Sequence, residues 1–220
     1  MLAMTSSSSA RPWLRPVSSA SALSEQLSDA QLIQAVVSGN DRVAAHLYDR
    51  LVGVIDRSLY RVFGRREVDH DDLVQSAFEQ VVLTLARGSY AGNCSLKTWA
   101  ARISSNVALN ALRARRRERK VLDQTLEAPP DGPASTDVER ESNARTLLHV
   151  VMRELSEMNP RRAQAVLLHD IEGYDLEEIA KMTQVTVAAA QSRLVRGRKE
   201  LLKRLDSRER RAMLKRRAGQ

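Results

Sequence analysis

The chain is short of the residues and groupings on which several common functions depend. A single cysteine, Cys94, stands among 220 residues, which excludes an intrachain disulfide and a paired-cysteine metal knuckle and leaves no mark of an oxidising compartment. No apolar run approaches the roughly 20 residues that span a bilayer, so no membrane insertion is expected. The start of the chain is rich in Ser, carries Arg11, Pro12, Arg15 and Pro16, and lacks the apolar block of a secretory signal. A mitochondrial presequence shares that composition, but no long amphipathic face is visible here; residues 1–26 read as a disordered tail, with Met4 a second candidate start. His46, His70, His149 and His169 are scattered, and there is no His-x-x-x-His pair, no Ser/His/Asp grouping and no glycine-rich phosphate loop. Neither an enzyme nor a cofactor is expected, and the default location is a reduced cytoplasm.

What the chain does have is positive charge and helical periodicity. Lys and Arg number 35 against 27 Asp and Glu, a net +8, which points to a polyanionic partner without choosing among DNA, RNA and membrane. An apolar content of 43% suits small cores rather than one large barrel. From Leu27 onward apolar residues recur at helical spacing. Ser28 and Gln31 form a capping box, Leu32, Ile33, Val36 and Val37 a short apolar face, and Gly39 a stop. A second helix, capped by Asn40 or Asp41, carries Val43, Leu47, Leu51, Val54, Ile55, Leu59 and Val62 on one stripe and closes at Gly64. Asp69 caps a third, with Leu73, Ala77, Val81 and Leu85 inward and Gly88 at its end. Beside that row lie Val74, Phe78 and Val82, with Asp71, Asp72, Gln75 and Glu79 near them. This is more apolar surface than one stripe needs: either a wide core face with solvated acids or a surface for a partner.

The stretch 95–120 has two faces. Ser95 is an N-cap, and Trp99, Ala100, Ile103, Val107 and Ala111 form an apolar row that places Trp99 in a core. On the other side Arg102, Asn106, Asn110, Arg113 and Arg117 stand in line, spaced four, four, three and four. Arg and Asn can bond two atoms of a base edge at once, and the arginine-rich end supplies phosphate contacts. The plainer alternative is a solvated helix with a basic end. In the preceding loop Tyr90, Gly92, Asn93 and Ser95 are residue types that hold an unstacked base.

Beyond Lys120, Pro129, Pro130, Gly132 and Pro133 forbid a continuous helix, and acids outnumber the single Arg140. Residues 121–142 therefore read as a flexible acidic linker. The expected fold is all-α: two small helical domains, 27–120 and 143–205, with a basic extension over 206–220 whose helix end frays. In the second half Leu147, Leu148, Val151, Met152 and Leu155 repeat, and Asn159-Pro160 starts a helix with Ala163, Val166, Leu167 and Ile171 inward. Asp175 and Glu178 box a short helix that turns Ile179, Ala180 and Met182 inward. Thr186 then caps a long basic helix with the apolar row Val187, Ala190, Leu194, Leu201 and Leu205. This is the helix-turn-helix arrangement. Its groove side carries Thr186, Ala188, Ala189, Gln191, Ser192 and Arg193, with Arg196, Arg198 and Lys199 near phosphates.

From Leu27 to Leu205 the chain resembles the extracytoplasmic-function sigma factors of bacterial RNA polymerase. The likeness rests on Asp72-LVQSAF, Cys94-SLKTWAARISSNVALNALRARRR, Leu155-SEMNPRRAQAVLLHDIEGYDLEEIAKMT and Gln191-SRLVRGRKEL, in that order across the linker. The resemblance implies a non-enzymatic factor that binds core polymerase, recognises two promoter elements and opens DNA. By position, Asp72, Gln75, Phe78 and Glu79 match the contact to the clamp of the large polymerase subunit. Tyr90, Asn93, Ser95 and Lys97 match the loop that captures a flipped base, and Arg102, Asn106, Asn110 and Arg113 the neighbourhood that meets the upstream edge of the minus-ten element. Thr186, Ala188, Ala189, Gln191, Ser192, Arg193 and Arg196 match the reader of the minus-thirty-five element. An anti-sigma partner is implied too. The chain departs from the family pattern where Gln184 stands at a turn position that commonly holds Gly, and where Ala188, Ala189 and Ala190 replace a more polar run. A regulator that binds operators alone would share the helix-turn-helix.

Overall fold

The computed structural model describes residues 28–39, 41–122 and 136–218, and every regular element among them is helical. The Ser-rich tail, the middle of the acidic linker and the side chain of Val43 lie outside the described part. The described residues divide into two compact units, the first ending at Arg50 and the second beginning at Leu51. In the first, α1 (Asp29–Val37) opens on the expected box: the Ser28 hydroxyl accepts from the Gln31 amide at 3.3 Å, and the Gln31 side chain accepts from the Ser28 amide at 2.8 Å. Leu32 is fully buried there, and Asp29 pairs with Arg50 at 3.0 Å. Helix α2 (Asp41–Phe63) begins in this unit and carries the chain into the next.

In the second unit α2 buries Leu51, Ile55, Leu59 and Val62, as its stripe requires. Helices α3 (His70–Ala86) and α4 (Leu96–Leu122) pack together, burying Leu73, Ala77, Val81 and Leu85 of one and Leu96, Trp99, Ala100 and Ile103 of the other. Then follow α5 (Thr136–Glu157), α6 (Pro160–Val166), a π-helical turn over Leu167–Ile171, α7 (Leu176–Thr183) and α8 (Val187–Ala218). Asn159 caps α6 by accepting from the Arg161 amide at 3.1 Å, with Pro160 in the first turn. The Asp175 carboxylate accepts from the Glu178 amide at 2.8 Å to start α7. Helix α8 packs closely on α6 because Gly197 has no side chain: a Cβ there would lie 2.7 Å from Val166 Cγ2 and 2.9 Å from the Arg162 carbonyl oxygen. Helix α4 is central, touching α3, α5, the π-helical turn and α7.

Several elements differ from the sequence expectation. Asp69 stands at the N-cap of α3 but makes no side-chain cap bond, because its carboxylate accepts from Arg115 at 2.5 Å. Val74, placed by periodicity in the outer strip of α3, is 7% exposed and belongs to the core. Leu147 and Val187 are exposed rather than inward. At α5 it is Leu148 that turns in, its Cδ2 atom lying 2.8 Å from where a Cβ on Gly64 would stand, and Gly64 has φ +70°. Helix α5 starts at Thr136, just past the last breaker, Pro133, and so occupies the end of the expected linker. Helix α8 does not fray after Leu205 but continues to Ala218. Arg204 and Arg208 tie it to Glu157 and Glu154 of α5 at 3.2 and 3.4 Å. The Gln184 turn keeps the left-handed conformation, φ 55° and ψ 49°, a strain of about 1–2 kcal/mol for a residue with a side chain.

Candidate nucleic-acid interface

The helix-turn-helix is built as its sequence pattern requires. Leu168, Ile179, Ala180, Met182 and Ala190 form one buried cluster, with Tyr174, Leu176 and Val185 packed against it. The small Ala180 and Ala190 let α7 and α8 approach. Thr186 caps α8 by accepting from the Ala189 amide at 3.2 Å. Above this support Thr186, Ala188, Gln191 and Arg196 are exposed, and Ala189, Ser192 and Arg193 are half-buried. All seven expected groove residues thus reach one end of α8, over a rigid base. Arg198 does not join them: its guanidinium holds the Asp170 carboxylate, with Nε to Oδ2 at 3.0 Å. That bond holds the Asp170 carboxyl below the usual carboxylate range, while Asp170 raises the Arg198 guanidinium in turn.

The expected row on α4 fares differently. Asn110 and Arg117 are exposed, and the other three are half-buried; Arg102 and Asn106 line a groove between α3 and α4 together with Asn110 and Arg117. Asn106 accepts from Gln164 Nε2 of α6 at 2.8 Å, and Arg113 Nε donates to the Ser156 carbonyl of α5 at 2.9 Å. The Arg102 guanidinium lies 5.8 Å over the Trp99 ring. Burial lowers the pKa of both Arg102 and Arg113. Arg102 Nε and Arg113 Nη2 are buried without a hydrogen-bond partner. The arginine-rich end, expected to meet phosphates, is also partly committed: Arg115 pairs with Glu67 and Asp69 at 3.4 and 2.5 Å, and Arg116 with Glu157 at 2.6 Å.

Periodicity missed why this face is covered. Beyond the expected stripe, α4 also buries Leu96, Ala101, Ser104, Ser105, Ala108 and Leu109. The signal was the run of small residues, Ala100, Ala101, Ser104, Ser105 and Ala108, which lets other elements close in on more than one side. Glu172 exploits this. It is a carboxylate with no exposed side-chain surface, held by Arg61 at 2.8 Å and by a hydrogen bond from Ser105 at 3.1 Å. A buried charge persists only when paired in this way.

In the loop before α4, Tyr90 is packed edge-on against Trp99 at 5.2 Å between ring centroids, and its hydroxyl donates to the Cys94 carbonyl. Ser95 caps α4 by accepting from the Thr98 amide at 3.1 Å. Asn93 and Lys97 are exposed. Cys94 is half-buried against the helix-turn-helix cluster, and burial raises its thiol pKa, partly offset by Arg102. On α3, Asp72 and Glu79 are exposed and Gln75 and Phe78 half-buried; Gln75 donates to Glu79 at 2.9 Å along the helix. Trp99, 2% exposed, packs in the core as expected. No helix among the described residues is long and apolar enough to cross a membrane.

Two family models match the chain: Sigma-70 region 2 over residues 47–118 and Sigma-70 region 4 over residues 148–201. Among curated relatives, the ECF RNA polymerase sigma-E factor of Escherichia coli K12 is 28% identical over 185 residues, covering 81% of this chain and 95% of the relative. That of Haemophilus influenzae is 26% identical over 182 residues, covering 80% and 94%. A solved structure of the sigma factor RpoE of Bartonella quintana, in complex with the anti-sigma factor NepR, is 20% identical with a TM-score of 0.39, covering 72% of this chain and 94% of that one.

Proposed function

Because the chain belongs to the extracytoplasmic-function sigma factors, non-enzymatic proteins that direct promoter-specific transcription initiation, we propose a division of that work among its surfaces. The strip Asp72, Gln75, Phe78 and Glu79 on α3 docks on the clamp of the large subunit of core RNA polymerase. Its mixture of acid and half-buried aromatic suits a basic, apolar partner surface. Tyr90, Asn93, Ser95 and Lys97, with Arg102, Asn106, Asn110 and Arg113, receive the minus-ten element. The exposed end of α8, from Thr186 to Arg196, reads the minus-thirty-five element. The domains so employed are 27–120 and 143–205, and the chain acts in the bacterial cytoplasm under the control of an anti-sigma protein.

The observation that carries this reading is the exposed row Gln191 and Arg196 with half-buried Ser192 and Arg193, standing over buried Ala190 and Leu194. It is a helix whose underside is fixed and whose upper side can enter a major groove. Opening the duplex costs about 1–2 kcal/mol per step in lost stacking, and each captured base returns roughly 1–3 kcal/mol. A chain of this size does not open DNA alone, so the polymerase must contribute. Run-off transcription with purified core polymerase, on templates that include the promoter of the chain's own gene, tests the proposal. A discrete transcript that needs both proteins is expected; a specific footprint by the free chain with no transcript on addition of core would overturn it.

A further inference from the structure

The π-helical turn carries a cluster of three polar side chains that the division of work above leaves without a task, and such turns are frequent at functional sites. His169 Nδ1 lies 2.9 Å from Asp170 Oδ1 and 3.2 Å from Arg198 Nη2, while Arg198 holds Asp170 through Nε at 3.0 Å and through Nη2. One ring nitrogen cannot serve both neighbours at once. With a lone pair Nδ1 accepts from Arg198; with a hydrogen it donates to Asp170. Among the described residues no hydrogen bond or ion pair reaches His169 from α4, α6 or α7, so the charged groups that face it are Asp170 of its own turn and Arg198 of α8, and Nε2 has no protein partner. The Arg198 side chain is 48% exposed and that of His169 32%, so a ligand can reach both.

Position gives this cluster a ligand. Arg198 stands seven residues after Gln191, almost two full turns, and so lies on the same side of α8, roughly 10 Å behind the reading end. The major groove is about 8.5 Å deep, so with the reading end at its floor Arg198 and His169 come to the rim, where the phosphates are. We propose that His169 and Arg198 form a site for one backbone phosphate of the minus-thirty-five duplex, and that a proton on His169 tightens its grip. While His169 is neutral it accepts from Arg198, and the trio of one guanidinium, one carboxylate and one imidazole carries no net charge. Only the imidazolium donates at both nitrogens. Its Nδ1–H turns to Asp170, the Arg198 N–H is released, and a charged Nε2–H is left for a phosphate oxygen. Arg198, and after it His169, hold the Asp170 carboxyl below the usual carboxylate range, so it is still ionised in mild acid to receive that donor. Imidazole is the side chain whose charge changes between about pH 5 and pH 8, which sets the window in which the grip varies.

The phosphate site rests on the sigma reading, and its test keeps the two apart. The full chain is assembled with core polymerase, and its affinity for a fragment carrying the promoter of its own gene is measured over a range of salt at about pH 5.5 and about pH 8, for the parent chain, His169→Gln and His169→Arg. On acidification the parent should gain about two- to fivefold in affinity relative to His169→Gln, the range of an exposed ion pair. Its plot of log affinity against log salt should steepen by about 0.9 relative to that variant, the increment for one phosphate. His169→Arg, positive at both pH values, should bind at pH 8 as the parent does in acid and show no pH response beyond that of His169→Gln. An equal pH response in the parent and His169→Gln, or a His169→Arg chain that binds no tighter than His169→Gln at pH 8, overturns the phosphate site and leaves the sigma reading intact. Failure of the parent assembly to prefer this promoter over a scrambled duplex at either pH overturns both.

Discussion

The amino-terminal two-thirds of α4 and the amino-terminal third of α8 carry the same kind of side chains and stand in opposite situations. On α8 the polar residues Thr186, Gln191 and Arg196 are in solvent, and only Ala190 and Leu194 are buried beneath them. On α4, Arg102, Asn106 and Arg113 are drawn toward protein, and the helix is buried on more than its apolar stripe. The difference shows that having Arg and Asn at groove spacing does not make a surface available. What decides it is the neighbouring faces, which on α4 are small enough to admit a second layer.

The comparison yields graded tests. Arg193→Ala should weaken binding of a minus-thirty-five duplex by about 1–3 kcal/mol, the range for one good base-edge contact, whereas Arg113→Ala on the covered face should leave that duplex binding unchanged. Fluorescence anisotropy with the free chain measures both, and equal losses would erase the distinction. Next, Gly197→Ala forces a Cβ against Val166 and the Arg162 backbone. It should destabilise the support of α8 by roughly 1–3 kcal/mol, read as a lower urea midpoint, and an unchanged midpoint would mean that the α6–α8 contact yields freely.

A smaller gain is expected from Gln184→Gly. Glycine relieves the left-handed strain at φ 55° but adds freedom to the unfolded chain, leaving about 0.5–1 kcal/mol of stabilisation; a lower melting temperature would show that the hydrogen bond from Gln184 Nε2 to the Ser89 carbonyl, at 3.3 Å, outweighs the strain. The least effect belongs to the Asp170–Arg198 pair. Asp170 has a folded pKa below its unfolded value, so its contribution is present above the unfolded carboxylate range and is lost as pH falls through the folded pKa. The pair is largely solvent-exposed and screened, so Asp170→Asn should remove well under 1 kcal/mol of stability at pH 7, with the difference from the parent chain vanishing in acid. A difference that grows on acidification would reverse the assignment.

Much of the fold was legible because it depends on local chemistry. The boxes at Ser28 and Asp175, the Asn159-Pro160 start and the Thr186 cap all form, since each needs only residues within one turn. The helix-turn-helix was legible for the same reason, its core being set by Ile179, Ala180 and Ala190 at close range. What sequence periodicity could not supply was long-range commitment. Arg115 turning to Asp69, Glu172 reaching Ser105 and Gln164 reaching Asn106 join positions far apart in the chain, and a charge pattern looks the same whether its partner is water, protein or DNA. The π-helical turn over Leu167–Ile171 also had no expectation behind it; the pattern there read as one continuous helix from Pro160 with Leu167 and Ile171 on its inward side.

The most direct test of the account is a pair of anisotropy titrations, one with a single-stranded minus-ten oligonucleotide and one with a minus-thirty-five duplex, each run on the free chain and again with core polymerase. The account expects the free chain to bind the duplex weakly and the single strand hardly at all, and the addition of core to raise affinity for the single strand by far the larger factor. Tight binding of the minus-ten strand by the free chain, unchanged when core is added, would contradict it.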